Sequence, residues 1–169
     1  NFRRQIAEGA PFELFLSADE AYVEALAREG RTVDAGVRYA IGRLVLFVPA
    51  GSALKLDATL ADLEAAVADG RVRRFVIANP EHAPYGRAAR EALQRAGVWD
   101  AIAPRLVLGE NVSQAAQFAT SGATQGGIFA YSLALSPAIA ARGQAVLLPA
   151  GMHAPLAQRM VLVKGAGAT

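Results

Sequence analysis

Short apolar runs alternate with amphipathic stretches along the whole chain, and this alternation predicts its elements. The apolar runs predict strands at Phe12–Leu16, Tyr39–Val48, Phe75–Ala78, Leu106–Leu108, Gly127–Ala130, Ala145–Leu148 and Met160–Val163. The amphipathic stretches predict helices at Ala18–Glu29, Leu60–Ala68, Arg87–Ala96, Val112–Ser121 and Pro137–Ala141. Because strands and helices alternate, the pattern indicates an α/β fold with mostly parallel sheets.

Two loop-like breaks interrupt this pattern, at Pro49–Asp57 and at Pro149–Pro155. Two breaks of this kind are what a chain needs if it leaves one lobe and later returns to it. We therefore expect residues 1–49 and 152–169 to form lobe I, and residues 50–151 to form lobe II.

The composition narrows the class of protein. The chain is 53% hydrophobic and 19% charged, which is enough apolar material for a sizeable core. It contains no cysteine, which excludes disulfides and thiolate metal sites, and no apolar run is long enough to span a bilayer. Aromatic residues are not interleaved with the basic clusters at positions 71–74 and 87–90, so we expect solvated faces and no nucleic-acid partner.

The sequence offers little that is typical of an enzyme. It has neither a Gly-x-Ser-x-Gly elbow nor a phosphate-binding P-loop. Its two histidines, His82 and His153, are isolated and match no usual metal-ligand spacing, so loop capping or a hinge is the expected role of each. We expect a protein without catalytic residues, cofactor or protein-bound metal.

Three predicted strand-to-helix junctions have the chemistry of an anion site. At the first junction, Ser17 is a candidate N-cap, and Glu20 three residues later would complete a capping box. Such a pair most often does no more than cap a helix. The alternative is that the Ser17 hydroxyl and amide also face a bound anion.

The second and third junctions are similar. Pro84 suits the first turn of a helix, which places the amides of Tyr85 and Gly86 at its positive end. Asn111 is a candidate N-cap for the helix that opens with the Val112 amide. Each junction by itself is compatible with an ordinary connection, but three of them in a parallel α/β pattern suggest a site lined with backbone amides.

The segments that form these junctions resemble the molybdate-binding proteins of bacterial ABC transporters. The resemblance rests on an ordered set of segments covering nearly the whole chain: Gly9–Asp19, Asn79–Ala89, Glu110–Val112, Gly126–Ser132 and His153–Leu156. It implies a type II periplasmic binding protein whose two lobes close on molybdate or tungstate. It also implies a periplasmic location and a membrane permease as partner, without insertion of this chain into the membrane.

The resemblance also assigns site residues. Ser17 would supply a hydroxyl and an amide, and Tyr85 and Val112 would each supply an amide. Many relatives place a ligand-contacting tyrosine where this chain has Ala130. Tyr131 comes one position later, where strand alternation would turn it to the other face, so it is left out of the site.

Two further expectations follow from the resemblance. Family members have a strand and helix before the position of Asn1 and a helix after the last strand, so the chain is expected to be truncated at both ends with an incomplete first lobe.

Two alternative functions remain open: binding of another oxyanion such as sulfate or phosphate, and ligand sensing within a transcriptional regulator.

Overall fold

The structure is a computed structural model that describes residues 2–165. Its helices are α1 (Phe2–Ala7), α2 (Glu20–Arg28), α3 (Ala61–Ala68), α4 (Pro84–Arg95), α5 (Trp99–Ile102), α6 (Val112–Thr120), α7 (Tyr131–Ala134) and α8 (Pro137–Ala140). Its strands are β1 (Leu14–Ser17), β2 (Val37–Gly42), β3 (Leu44–Pro49), β4 (Phe75–Ala78), β5 (Leu106–Gly109), β6 (Gly126–Ala130), β7 (Gly143–Leu147) and β8 (Leu156–Leu162). Short 3-10 turns span Ala103–Arg105 and Ala150–Met152.

The chain divides into two compact units. Unit 1 contains Asn1–Gly42 and Leu156–Thr169, and unit 2 contains Arg43–Pro155. The second crossing, at Pro155, falls within the predicted break Pro149–Pro155. The first crossing lies at Gly42 and not near residue 49 as the loop-like composition predicts. The reason is that β3 forms backbone ladders with β6 and β7, which commits residues 44–49 to the sheet of unit 2.

Unit 1 is built on a three-stranded sheet in the order β1-β8-β2, and both pairings are antiparallel. Side chains alternate along β1, so that Phe15 and Ser17 are buried while Leu14 and Leu16 are exposed. The buried side of the sheet packs with α1 and α2 around a core of Ile6, Phe15, Val23, Leu26, Val161 and Val163.

Unit 2 has a five-stranded mixed sheet in the order β5-β4-β6-β3-β7. Strand β4 pairs in parallel with β5 and β6, whereas β3 pairs antiparallel with β6 and β7. All residues of β3, β4 and β6 are buried, as expected for strands covered on both faces. The α/β class is confirmed, but the prediction of mostly parallel sheets is correct only for β4, β5 and β6.

The long apolar run Tyr39–Val48 is not one strand. It breaks at Arg43 into β2, which pairs with β8 in unit 1, and β3, which pairs with β6 in unit 2. Apolar residues lie on both sides of the break, and the two strands are distinguished by their different pairing partners. This break is also the first crossing between the units.

Candidate functional site

The β4–α4 junction places the start of a helix directly at the carboxyl end of a buried strand. Pro84 occupies the first turn of α4, as predicted, and the N-cap residue Ala83 contributes no side-chain hydrogen bond. The loop is closed by the backbone of Asn79, whose carbonyl accepts a hydrogen bond from the Ala83 amide at 2.9 Å. Tyr85, in the first turn, is buried. The positive end of the helix dipole therefore lies at this edge of the sheet.

Gly86 allows α4 to approach the strand this closely. A Cβ atom built on Gly86 would lie 2.3 Å from the Ala78 carbonyl oxygen and 2.8 Å from the Asn79 carbonyl carbon. Both contacts are with backbone, which cannot turn aside as a flexible side chain could. A residue with any side chain at this position would push the start of α4, and the Tyr85 amide with it, away from β4.

The β5–α6 junction is a reciprocally capped helix start. The Asn111 side chain accepts a hydrogen bond from the Gln114 amide at 2.9 Å, and the Gln114 side chain accepts one from the Glu110 amide at 2.7 Å. The predicted N-cap at Asn111 is thus confirmed, and the pattern resembles a capping box except that Gln114 accepts from the amide of the residue before the N-cap. Val112 is the first residue of α6, so its amide lies at the positive end of the helix.

These two junctions are neighbours within unit 2. Strands β4 and β5 pair in parallel with Ala78 opposite Gly109, so both helices begin at the same edge of the sheet. The Asn79 amide donates to the Gly109 carbonyl at 2.7 Å, which extends the ladder one step into the loops. The structure thus brings together the Tyr85 and Val112 junctions, and it combines two helix N-termini into one region of positive potential.

The first junction belongs to unit 1 and differs from the prediction. The N-cap of α2 is Asp19, whose carboxylate accepts a hydrogen bond from the Ala21 amide at 3.0 Å. Ser17 ends β1 and is 5% exposed; its hydroxyl donates to the Asp19 carbonyl at 2.7 Å and accepts from the Asp19 amide at 3.2 Å. The predicted capping box of Ser17 and Glu20 is therefore wrong, because α2 begins at Glu20, which makes Asp19 the N-cap and places Ser17 outside the helix start.

Glu20 instead pairs with two arginines of the unit 1 sheet. Its carboxylate lies 2.7 Å from Arg38 Nη2 and 2.9 Å from Arg159 Nη2. The hydrogen bonds from Arg38 and then Arg159 hold the pKa of the Glu20 carboxyl below its usual value. This carboxylate is thus used to fasten α2 to β2 and β8, and the negative charge next to Ser17 is neutralised by protein groups.

Tyr131 lies outside the strand that precedes it. Strand β6 ends at Ala130, and Tyr131 opens the short helix α7, with its amide donating to the Arg43 carbonyl at 2.9 Å. Its ring packs against the core of unit 2. Helix geometry, and not the strand alternation assumed from the sequence, therefore decides the direction of this side chain.

Both histidines hydrogen-bond to backbone carbonyls. His82 Nε2 lies 3.0 Å from the Glu110 oxygen, and His153 Nδ1 lies 2.7 Å from the Ala154 oxygen. Residues 2–165 contain no group of three or more His, Cys, Asp or Glu side chains placed to hold a metal ion. In the same range no helix is long and apolar enough to cross a membrane.

Sequence reasoning missed His82 as part of this region. In the sequence it is only an isolated histidine, because its partner Glu110 is 28 positions away in the chain. The available signal was positional: His82 precedes one candidate helix start and Glu110 precedes the other, and the two strands before them are adjacent in a parallel sheet.

Comparison with known proteins agrees with this architecture. The chain is 37% identical over 164 residues to the molybdate-binding protein ModA of Rhodobacter capsulatus, covering 96% of this chain and 61% of that protein. It is 36% identical over 167 residues to ModA of Azotobacter vinelandii, covering 97% and 64% respectively. The chain thus spans less than two thirds of the length of these curated relatives.

The solved periplasmic molybdate-binding protein of Azotobacter vinelandii has a similar fold. It superimposes with a TM-score of 0.82 and 30% sequence identity, covering 98% of this chain and 71% of that one. The family model described as bacterial extracellular solute-binding protein matches residues 1–169. From its fold, its paired helix starts and these similarities, the chain belongs to the bacterial extracellular solute-binding protein family.

Proposed function

We propose that this protein binds molybdate or tungstate and delivers it to an ABC importer. The observation that carries the proposal is the pair of neighbouring helix N-termini in unit 2, which present the first-turn amides of α4 and α6 at one edge of the sheet. Relatives at 36–37% identity that are named molybdate-binding proteins support it.

The proposed contacts come from three residues. Val112 and Tyr85 each donate a backbone amide from the first turn of a helix, where the helix dipole favours negative charge. Ser17 donates its hydroxyl, which must first turn away from the Asp19 carbonyl that it contacts in the structure. The site therefore consists of donors, and it requires no metal or cofactor other than the bound oxyanion.

The donor character of the site is the basis for the choice of ligand. Molybdate and tungstate are fully deprotonated at neutral pH, so each oxygen can only accept hydrogen bonds. Phosphate is partly protonated, and a selective site for it needs an acceptor. None of the three proposed contacts is an acidic residue. An all-donor shell therefore suits molybdate and tungstate, with sulfate as the chemically nearest competitor.

The rest of the proposal concerns the whole protein. We infer a receptor with no catalytic activity, located in the periplasm, whose protein partner is the permease of an ABC transporter. The family description, an extracellular solute-binding protein, supports the location and the role. A bound solute is held and released unchanged, which requires no nucleophile or general base.

Titration calorimetry on the protein, in the full length that its gene encodes, tests this proposal. Molybdate and tungstate should bind with one site, sulfate should bind more weakly by at least about tenfold, and phosphate should not compete. Equal affinity for sulfate and molybdate would contradict the proposed ligand class. No binding of any of the four anions would contradict oxyanion binding itself.

A further inference from the structure

We propose that His82 is a positioning residue that holds the start of α6 in register with the start of α4, so that both present their amides to one oxyanion. This inference rests on the proposed function, because it assigns a role within the same site. The observation behind it is the contact of the His82 ring with the loop of the neighbouring junction.

A backbone hydrogen bond already joins the two loops where they leave the sheet, and the His82 contact joins them further out. The Asn79 amide donates to the Gly109 carbonyl at 2.7 Å, one step beyond the last pair of the β4–β5 ladder. Both loops then turn into their helices. Beyond the sheet, the His82 imidazole extends from the first loop and reaches the Glu110 backbone of the second.

The hydrogen-bond chemistry of this contact is determined by its acceptor. A carbonyl oxygen can only accept, so His82 Nε2, at 3.0 Å from the Glu110 oxygen, carries the proton and donates. The Glu110 carboxylate is near as well, with Oε2 at 3.4 Å from the same nitrogen. The carboxylate is 76% exposed to solvent, so the backbone carbonyl is the better-defined anchor.

The backbone of Glu110 is thus held by two hydrogen bonds, one at its amide and one at its carbonyl. Its amide donates to the Gln114 side chain at 2.7 Å, and its carbonyl accepts from His82. Glu110 directly precedes the N-cap Asn111, and Val112 follows at the first helical position. Fixing Glu110 therefore fixes the direction of the Val112 amide before the anion arrives, and a site organised in advance binds more tightly.

The experiment compares three substitutions of His82 by calorimetry with molybdate. His82→Ala removes the donor and should weaken binding by about three- to tenfold, the range of a single hydrogen bond. His82→Gln places an amide nitrogen near the position of Nε2 and should keep the affinity within about twofold of the parent. His82→Asn places its nitrogen too close to the backbone to reach Glu110 and should behave like the alanine variant.

Glu110→Gln tests whether the backbone carbonyl or the side-chain carboxylate of Glu110 is the group that holds His82. It removes the side-chain charge and leaves the backbone carbonyl in place, so molybdate affinity should be unchanged or slightly higher. A loss as large as that of His82→Ala would overturn the assignment to the carbonyl. Equal affinity in the parent and all three His82 variants would overturn the positioning role.

Amide hydrogen exchange without ligand gives a readout that does not depend on the proposed function. Exchange at Val112 and Ser113 should be faster in His82→Ala than in the parent, and it should be restored in His82→Gln. Unchanged exchange in the alanine variant would contradict the positioning role even if the parent binds molybdate. If no oxyanion binds to the parent, the proposed function fails, and the exchange data still decide whether His82 orders this loop.

Discussion

The sequence around Ser17 predicts an N-cap, but in the structure this side chain binds the backbone of Asp19 instead. Its hydroxyl takes part in two hydrogen bonds with the Asp19 backbone, and Asp19 caps the helix in its place. The residue is therefore buried and already partnered before any ligand binds. In the proposed site, an anion must compete with the Asp19 carbonyl for the hydroxyl proton.

Replacing Ser17 by alanine should weaken molybdate binding by about tenfold or more, because a hydrogen bond to a charged group contributes about 1.5–3 kcal/mol. Calorimetry on the full-length protein measures the change. Ser17→Thr, which keeps the hydroxyl, should retain most of the affinity. Unchanged binding in the alanine variant would remove Ser17 from the site.

Tyr85 should behave differently, since the proposed contact is its backbone amide. Tyr85→Phe leaves that amide in place, so the dissociation constant for molybdate should change by no more than about twofold. This side chain is buried, so thermal unfolding should be recorded alongside the titration. A large loss of affinity without a loss of stability would mean that the phenol hydroxyl contacts the anion.

At the scale of elements, the packing of α4 against β4 depends on one glycine. The Gly86→Ala Cβ would meet the Ala78 carbonyl oxygen at 2.3 Å, so the helix start must move. We expect a loss of about 1–3 kcal/mol in the free energy of unfolding, as for other overpacked positions, together with weaker molybdate binding. Chemical denaturation and calorimetry measure the two effects.

Gly151 provides the matched control for this substitution. A Cβ built there meets no atom within 4 Å, and its backbone is not in the left-handed region. Gly151→Ala should therefore leave the unfolding free energy within about 1 kcal/mol of the parent and the affinity unchanged. If both alanine variants have the same unfolding free energy and molybdate affinity, the close approach of Gly86 to Ala78 does not determine how α4 packs against β4.

At the scale of the whole molecule, unit 1 depends on a contact between distant parts of the chain. Glu20 on α2 is held by Arg38 of β2 and by Arg159 of β8, and these two strands come from opposite ends of the sequence. Arg159 also donates to the carbonyls of Ala35 and Gly36 at 3.1 and 3.2 Å. This network connects the returning C-terminal segment to the N-terminal part of unit 1.

The lowered pKa of Glu20 gives this network a pH dependence. Its folded pKa lies below the ordinary 4.5, so its stabilising contribution is complete above about pH 4.5 and is lost as the pH falls through the lower folded value. Glu20→Gln should therefore lower the melting temperature at pH 7 by about 1–3 °C, and the difference from the parent should narrow below pH 4.5. The matched control is Glu24→Gln, on the same helix, which leaves the Glu20 pairs with Arg38 and Arg159 intact and should keep the melting temperature at pH 7 close to that of the parent.

Features that depend on neighbours in the chain can be predicted from the amino-acid sequence alone. Apolar periodicity predicts most of the elements, and the capping pair of Asn111 and Gln114 and the first-turn position of Pro84 are confirmed, since helix ends are stabilised by residues a few positions away. The ordered family segments predict the family for the same reason, because each is a local motif.

Features that depend on pairing between distant segments become visible only in the folded protein. The division of Tyr39–Val48 at Arg43, the antiparallel sheet of unit 1 and the contact of His82 with Glu110 all join residues that are distant in sequence. Strand hydrophobicity does not encode the identity or direction of a partner strand. Those choices are made by the burial and hydrogen bonding of the whole sheet, and they place the two helix starts of unit 2 side by side.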